Sequence, residues 1–349
     1  AISVFIVVLG LAFRAPLLSF IFGKVDADVM ENSMVYFFYT VLSYPFIALY
    51  DAGASIFRAQ ENTRGPMVIS IISNVMNIVG NGILIWVFHM GVAGAAISTL
   101  VSRIFCAVVV LYQLRKDRQP IVVRDYLKIR TDGKMIGRIL ALGIPSGIEN
   151  SMFQLGKLAI QSTVSTLGTT AIAAQAMTNM LEMLNGTAVI GVGIGLMTVV
   201  GQSLGAGKKD EAVYYMKKLM IFSEVFLIAC CAVVYVLARP ITMIGGMEAK
   251  SAEMCLDMMF WITIVKPIVW MFAFIPAYGM RAAGDVKFSM ITSCITMWTF
   301  RFCLCVYLIR VCGMGPMAVW IGMFTDWTVR AIVFGLRFKS GKWMEHKVV

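Results

Sequence analysis

The chain has 349 residues, of which 59% are hydrophobic and 14% are charged, against roughly 45–50% and about 25% in soluble proteins. Together with a mean hydropathy of +0.82, this excludes two soluble domains and predicts that most of the chain lies in a lipid bilayer. The net charge of +11 does not indicate a nucleic-acid partner, because the basic residues lie between apolar blocks of membrane-spanning length. With two histidines and no HExxH or CxxC spacing, we expect neither a catalytic metal nor a cofactor.

Ten segments are apolar enough and long enough to cross a bilayer, which takes about 20 residues of helix. They are residues 1–22, 34–57, 66–88, 91–114, 136–165, 171–203, 212–237, 255–279, 288–311 and 315–336. The predicted fold class is an all-α membrane protein, a polytopic bundle of ten transmembrane helices. The polar stretch after the fourth segment divides it into an N-terminal bundle of four helices (1–115), a linker (116–133), a C-terminal bundle of six helices (134–338) and a tail (339–349).

The basic residues indicate which side of the membrane each connection faces. Twenty of the 30 lysines and arginines lie on the connections that follow the second, fourth, sixth, eighth and tenth segments, and five lie on the opposite side. Because positively charged loops stay in the cytoplasm, we expect the linker and the C-terminal tail to be cytoplasmic. Topology therefore explains the positive charge without a polyanionic partner.

The two sides of the linker resemble each other at a nearly constant spacing. Residues 57–62 (FRAQEN) align with 280–285 (MRAAGD) at an offset of 223, and 91–93 (GVA) align with 315–317 (GPM) at an offset of 224. Both copies run in the same direction with an even number of segments between them, which is typical of a parallel repeat. Since six segments follow the linker and four precede it, the repeat also predicts two further helices ahead of the first segment.

Several motifs together resemble the multidrug and toxic compound extrusion (MATE) family of antiporters. Residues 199–207 (VVGQSLGAG) resemble the VGQ-x-x-GAG signature at the cytoplasmic end of that family's eighth helix. Supporting motifs are LGIP at 142–145, AAGD at 282–285 and, from one bacterial branch, DWTVRA at 326–331 and RFKSGKW at 337–343. The resemblance implies helices three to twelve of a twelve-helix, 6+6 fold, in a monomeric, non-enzymatic transporter of the bacterial inner membrane.

Charged residues inside the apolar segments need an explanation, because a charge at the bilayer centre costs about 2.5–3.5 kcal/mol. Glu149 and Lys157 lie on one segment, about 12 Å apart along the helix and about 80° apart in azimuth. Both side chains are therefore expected to face one interior cavity. We interpret Glu149 as a site for protons or organic cations and Lys157 as its charge modulator. The alternative is that each residue neutralises a charge on another helix.

Asn74, Asn77 and Asn81 form a polar stripe on one face of the third segment. Such a stripe must face protein or a water-filled cavity, and hydrogen bonding between helices is one explanation. The MATE resemblance implies another, because several family members bind a cation through an Asn-x-x-x-Asp pair on helix five and a threonine on helix six. Asn77, Asn81 and Thr99 match these positions, with Asn81 in place of the aspartate, which implies a Na⁺ site near these three residues.

Further polar residues within the segments are predicted to line a cavity. Asp51 and Glu182 are such candidates, because each is an acid within an apolar segment. Gln175 and Asn179 are one helical turn apart and are predicted to line the same chamber as Glu149.

A last group is predicted to have structural or gating roles. Asp326 and Arg330 are one helical turn apart and are expected to neutralise each other, whereas Arg301 is expected to bond to another helix. Prolines inside the segments remove backbone hydrogen bonds and act either as static kinks or as flexing points between two rocking bundles. They are Pro145, Pro267 and Pro276.

The resemblance and these residues predict a secondary active antiporter that exports cationic amphipathic small molecules across the lipid bilayer in exchange for H⁺ or Na⁺. A lipid-linked oligosaccharide flippase of the same superfamily is an alternative, which an arginine-rich cavity would favour because its cargo is a pyrophosphate. A non-transporting membrane scaffold is an alternative of another class. An intramembrane enzyme is disfavoured because the segments contain no recognisable nucleophile–base or metal set.

Overall fold

The computed structural model describes residues 2–22, 27–116 and 132–345, and these ranges are helical throughout, with no strand. The predicted all-α fold is confirmed. The chain separates into two compact units, residues 1–130 and 131–349. Most of the predicted linker (116–133) and the last four residues of the predicted tail (339–349) lie outside the described residues.

The described part of the first unit contains six helices. They are α1 (Ile2–Ala12), α2 (Arg14–Phe22), α3 (Ala27–Leu42), α4 (Tyr44–Ala59), α5 (Arg64–Gly82) and α6 (Gly91–Leu114). A π-helical turn at Ile83–Val87 extends α5. A small core centred on Phe57, Ile69 and Val110 joins α4, α5 and α6, so these three helices form the packed part of this unit.

Residues 132–345 of the second unit form seven helices. They are α7 (Gly133–Val164), α8 (Thr169–Gly205), α9 (Lys209–Ile244), α10 (Ala249–Ala282), α11 (Val286–Thr296), α12 (Leu304–Arg310) and α13 (Met317–Lys339). A π-helical turn at Met297–Cys303 makes α11 and α12 one continuous rod. Helix α10 packs against α8, α9 and α13, and the core is built around it.

Eight helices in the described part of the chain are long and apolar enough to cross a membrane. They coincide with eight of the ten predicted segments, and two segments differ. Residues 2–22 form two short helices instead of one span, and Ile2–Ala12 is a short apolar helix. Helix α7 has 32 residues, which is ample length, but its polar residues keep it out of the strongly apolar set. Large apolar side chains such as Ile78 and Ile244 stay 70% and 88% exposed, as lipid-facing residues do.

The internal repeat extends to the backbone of two turns. Glu61 and Gly284, 223 residues apart, both adopt a positive φ (62° and 86°) after a helix end. The amide of the following residue then donates to the carbonyl five residues before it, in Asn62 N–Phe57 O (3.0 Å) and Asp285 N–Met280 O (2.9 Å). Such left-handed residues close helix C-termini, so the aligned segments have the same local structure.

A second pair of turns repeats in the same way. His89 and Gly313 have φ of 52° and 66°, and Met90 N and Met314 N each donate over 3.0 Å to the carbonyl six residues earlier. Their offset of 224 agrees with the spacing of the aligned motifs. In each unit, therefore, a helix that contains a π-helical turn is followed by a left-handed turn and then by a long helix.

A glycine in the final helix of each unit allows close approach to the π-helical turn. A Cβ at Gly322 of α13 would lie 2.9 Å from the carbonyl oxygen of Arg301, and one at Gly94 of α6 would lie 2.9 Å from Cβ of Leu84. At Gly322 the obstacle is backbone, which cannot rotate away as a side chain can. The absence of a side chain there sets how closely α13 approaches the turn that carries Arg301.

We predict that Gly322→Ala lowers the apparent melting temperature of the purified protein, since overpacking costs about 1–3 kcal/mol. The measurement is tryptophan fluorescence on heating in a neutral detergent. The matched control is Gly335→Ala on the same helix, where a Cβ would meet nothing within 4 Å. The control should unfold at the same or a higher temperature, because alanine favours helix over glycine by about 1 kcal/mol. Equal melting temperatures for the two variants would contradict the packing argument.

Candidate functional site

The second unit encloses a cavity of about 800 Å³. Helices α7, α8, α10 and α13, together with α11 and its π-helical turn, supply the lining residues. The apolar part includes Trp270, Phe274, Met323, Trp327 and Phe334. A cavity of this size, largely apolar with a few polar groups, is typical of small-molecule sites.

Glu149 lies in this cavity and is paired with Arg281. Helix α7 carries the acid and α10 the arginine, and Arg281 Nη2 donates to Glu149 Oε1 over 2.7 Å. Glu149 is 8% exposed, and its second oxygen, Oε2, accepts no hydrogen bond. Arg281 also lies over the ring of Tyr278, 5.6 Å from its centroid. Arg281 is thus a neutralising partner for Glu149 on another helix, which is one of the two interpretations. The pair also lies on the cavity wall, which the other interpretation requires.

Glu182 on α8 forms the second ion pair of this region. Lys266 Nζ on α10 donates to Glu182 Oε1 over 2.6 Å and to the Glu182 carbonyl over 3.0 Å. Lys266 is fully buried and lies 5.4 Å from the centroid of the Trp270 ring. Glu182 lines the cavity, as predicted, whereas Lys266 supports it from behind.

A third charged group joins α11, its π-helical turn and α13. Asp326 is fully buried and accepts a 2.7 Å bond from Arg330 Nε, as the spacing predicts. Arg330 also donates to Ser293, to its Oγ over 3.1 Å and its carbonyl over 3.0 Å. Arg301 Nη1 lies 3.8 Å from the other oxygen of Asp326, which accepts no hydrogen bond, so Arg301 has an electrostatic contact with α13 and no hydrogen bond to it.

Lys157 lines the cavity about two helical turns after Glu149 on α7. Its Nζ lies 5.1 Å from the centroid of the Phe153 ring on the same helix. Among the described residues, no carboxylate lies within 4.0 Å of it. The expectation that Lys157 neutralises an acid on another helix therefore finds no partner in the described part of the chain.

Two neutral candidates, Gln175 and Asn179, also line the cavity. Gln175 Nε2 donates to Asn179 Oδ1 over 3.2 Å, and Trp320 Nε1 donates to Gln175 Oε1 over 3.2 Å. The indole of α13 therefore fixes the orientation of the Gln175 amide, which presents Asn179 to the cavity.

The asparagine stripe lies in the first unit and forms hydrogen bonds between α5 and α6. Asn77 Nδ2 donates to Thr99 Oγ1 (3.2 Å) and to Ser102 Oγ (3.4 Å). Asn81 Nδ2 donates to Asn77 Oδ1 over 3.3 Å, while Asn81 Oδ1 is buried without a partner. No acid in the described residues hydrogen-bonds to this network, which is neutral. The Na⁺ site near Asn77, Asn81 and Thr99 stays a prediction.

Two first-unit predictions need correction. Asn74 is exposed and takes no part in the network, because its side chain lies on the outer side of α5. Asp51 is exposed on α4 and is absent from the cavity lining, all of which belongs to the second unit. An acid within an apolar segment is buried only where a partner helix covers it, and segment position alone does not show this.

The three prolines are inside long helices, as predicted. Pro145 is in α7, and Pro267 and Pro276 are in α10. Pro267 directly follows Lys266, and Pro145 lies one turn before Glu149, so these two prolines adjoin residues of the ion pairs. Proline weakens the backbone hydrogen bonding of its own turn, so α7 and α10 are expected to bend more easily at these points.

Sequence reasoning missed several residues of the site. No role is predicted from the sequence for Lys266 or Arg281, and none is predicted for Phe153 or Trp270 either. The pairs Glu149–Arg281 and Glu182–Lys266 are 132 and 84 residues apart, so no helical spacing reveals them. The available signal was charge balance, because acids and bases buried in one bundle must find partners.

Comparison with known sequences gives the family. A family model for MatE matches residues 1–83 and 145–307. A probable multidrug resistance protein NorM of Thermotoga maritima is 25% identical over 343 residues, covering 94% of this chain and 71% of the relative. The probable multidrug resistance protein YoeA of Bacillus subtilis is 25% identical over 286 residues, covering 80% of this chain and 61% of the relative. The chain therefore spans about two thirds of the length of these relatives.

Solved structures show the same fold. A MATE structure in complex with MaL6 has a TM-score of 0.88 at 17% identity and covers 98% of this chain and 77% of its own. A superfamily transporter from Pyrococcus furiosus, described as having a binding pocket of reversed polarity, has a TM-score of 0.89 at 17% identity and covers 99% and 77%. The family model matches well over half of the residues of this chain. The chain therefore belongs to the MatE family, as its motifs predict.

Proposed function

We propose that the protein is a secondary active antiporter that exports amphipathic small molecules through the second-unit cavity in exchange for H⁺ or Na⁺. The names of the relatives, probable multidrug resistance proteins, support efflux. The predicted setting is a bacterial inner membrane, with the linker and the C-terminus on the cytoplasmic side. The two ion pairs of α10 support coupling of export to an ion gradient.

The single observation that carries the proposal is that α10 is bonded to two different helices at the cavity wall. Arg281 holds α7 through Glu149 (2.7 Å), and Lys266 holds α8 through Glu182 (2.6 Å). Removing the charge from one member of a buried pair costs about 3–5 kcal/mol. A proton or cation that competes for either acid therefore changes how firmly α10 is attached.

This arrangement provides a coupling step. When Glu149 binds a proton, Arg281 loses its counter-charge and α10 is released from α7, and the proline turns of α10 allow the helix to bend. When the proton leaves, the pair re-forms. Two arrangements of α10 that differ in ion-pair state are what alternating access requires of a bundle of this kind.

The ion pairs also affect how the cationic substrate predicted from the sequence would bind. A cationic substrate that reached Glu149 or Glu182 would meet a carboxylate already neutralised by Arg281 or Lys266. It would therefore compete with the basic partner of that acid as well as with the coupling ion.

A second candidate, the lipid-linked oligosaccharide flippase, is favoured by one observation. Three arginines, Arg281, Arg301 and Arg330, line the cavity, and guanidinium groups bind phosphate oxygens in bidentate fashion. A test of efflux against a panel of soluble dyes separates this candidate from drug export, because a dedicated flippase moves none of them.

We predict that Glu149→Gln abolishes the pH dependence of dye efflux, because glutamine cannot exchange a proton. The measurement is the initial rate of dye accumulation in everted membrane vesicles at several pH values. The matched control is Asp257→Asn, an exposed acid on α10, which should retain the wild-type profile.

The double variant Glu149→Gln with Arg281→Gln distinguishes coupling from structural support. If the pair only stabilises the fold, removing both charges restores efflux together with its pH dependence. If Glu149 carries the coupling proton, pH dependence stays absent in the double variant. An unchanged pH profile in the single variant would place the coupling elsewhere.

We predict that Pro267→Ala slows dye turnover several-fold and leaves dye affinity unchanged, because alanine restores a backbone hydrogen bond and stiffens α10 beside Lys266. Affinity is measured by equilibrium binding and turnover in everted vesicles. Pro240→Ala, which changes a proline inside α9 away from the cavity lining, is the control and should leave both unchanged. Equal losses of affinity and turnover in Pro267→Ala would contradict a hinge role.

A further inference from the structure

The charges that line the cavity do not balance. Two acids line it, Glu149 and Glu182, and four basic residues do, Lys157, Arg281, Arg301 and Arg330. Both acids are already paired, with Arg281 and with Lys266 from behind the wall. Three of the four basic residues are left without either acid, and Asp326 is the one further carboxylate that the described residues place beside them.

These three basic residues surround one aromatic ring. Lys157 Nζ lies 5.1 Å, Arg301 Cζ 5.1 Å and Arg330 Cζ 5.8 Å from the centroid of Phe153. Because all three charged groups lie close to the same ring centroid, they also lie close to one another. We call Lys157, Arg301 and Arg330 the cation cluster. Three positive charges meet one carboxylate there, which leaves an excess of two.

Asp326 serves the members of the cation cluster unequally. Arg330 is fully engaged, by the 2.7 Å bond to Asp326 and the two bonds to Ser293. Arg301 reaches Asp326 only at 3.8 Å, and its Nε has no hydrogen-bond acceptor although the residue is 5% exposed. Lys157 has no carboxylate within 4.0 Å among the described residues. Lys157 and Arg301 are thus two cations on adjoining parts of the wall whose hydrogen-bond donors are not all paired with acceptors among the described residues.

The physical consequence is an affinity for negative charge. Like charges that lie close together repel each other, and a buried donor without an acceptor is costly. A ligand with an anionic group relieves both. The π-helical turn Met297–Cys303 brings Arg301 to this position, and such turns are frequent at functional sites.

The rest of the cavity is suited to an apolar body. Trp270, Phe274, Met323, Trp327 and Phe334 form the wall on α10 and α13. Rings and a thioether adapt to varied apolar shapes.

We propose that the cation cluster is the head-group subsite for an amphipathic anion, which carries a carboxylate, sulfonate or phosphate on an apolar body. The anionic group binds between Lys157 and Arg301, while Asp326, which is bonded to Arg330, lies 3.8 Å from Arg301 on the other side. The body lies on the aromatic wall. This inference deepens the proposed export function and rests on it, and it assigns the substrate the charge opposite to the one predicted from the sequence.

The test compares ligands that share one body and differ in charge. The purified full chain in a neutral maltoside detergent is titrated with pyrenebutyrate, pyrenebutanol and pyrenebutylamine, and binding is read from energy transfer between tryptophan and pyrene. Pyrenebutyrate should bind at least tenfold more tightly than the amine, a difference of about 1.4 kcal/mol. Equal affinity, or tighter binding of the amine, would overturn the proposal.

Variants locate the subsite. Lys157→Gln and Arg301→Gln should each weaken pyrenebutyrate binding about tenfold and leave pyrenebutanol unchanged, whereas Arg301→Lys, which keeps the charge, should lose less. Arg310→Gln removes an exposed arginine from α12 and is the matched control, expected to bind like the wild type. Lys157 is exposed to the cavity and unpaired, so Lys157→Gln decides the matter if Arg301→Gln does not fold. No loss in Lys157→Gln contradicts the subsite.

Competition identifies the source of the anion and keeps this proposal separate from the efflux proposal. Displacement of pyrenebutyrate by decyl sulfate supports small organic anions, and displacement by farnesyl diphosphate alone supports a lipid diphosphate. Displacement only by pyrenebutylamine argues against an anion site. The binding is measured at equilibrium without an ion gradient, so absence of efflux leaves it intact, while efflux of cationic dyes without anion binding overturns this inference alone.

Discussion

The cavity of this protein depends on one interaction, the pairing of two basic residues of α10 with acids on two neighbouring helices. Arg281 and Lys266 of α10 supply the partners of Glu149 and Glu182, and they are about four helical turns apart on that helix. Helix α10 is thereby attached to α7 at one level and to α8 at another. The electrostatic state of the cavity and the position of its central helix cannot change independently, which is the property that an ion-driven transporter needs.

Ion pairs of this kind also distinguish the two units. Their turns repeat closely, with left-handed residues at Glu61 and Gly284, but their polar interiors do not. The first unit joins α5 to α6 through a neutral network around Asn77, whereas the second joins its helices through buried ion pairs. A shared backbone therefore holds two kinds of interior, and the charged one surrounds the cavity.

The two walls of the cavity have different chemistry. Lys157, Arg301 and Arg330 place positive charge around Phe153, and most of the aromatic lining comes from α10 and α13. A ligand with a charged end and an apolar body matches this division. Gly322 allows α13 to approach the carbonyl of Arg301, so the position of this arginine and the width of the cavity are set by the same contact.

Composition, hydrophobic segments and motifs determined the all-helical membrane fold, the family and the position of most helices, because each is a local property of the chain. Helical spacing also placed Glu149 and Lys157 toward one cavity and paired Asp326 with Arg330. Only the tertiary structure decided which distant charges meet, since Arg281 and Glu149 are 132 residues apart and no periodicity links them. It decided as well that Asp51 is exposed and that positive charge exceeds negative charge in the cavity, because a charge balance belongs to an enclosed space and exists only once the helices have packed around it.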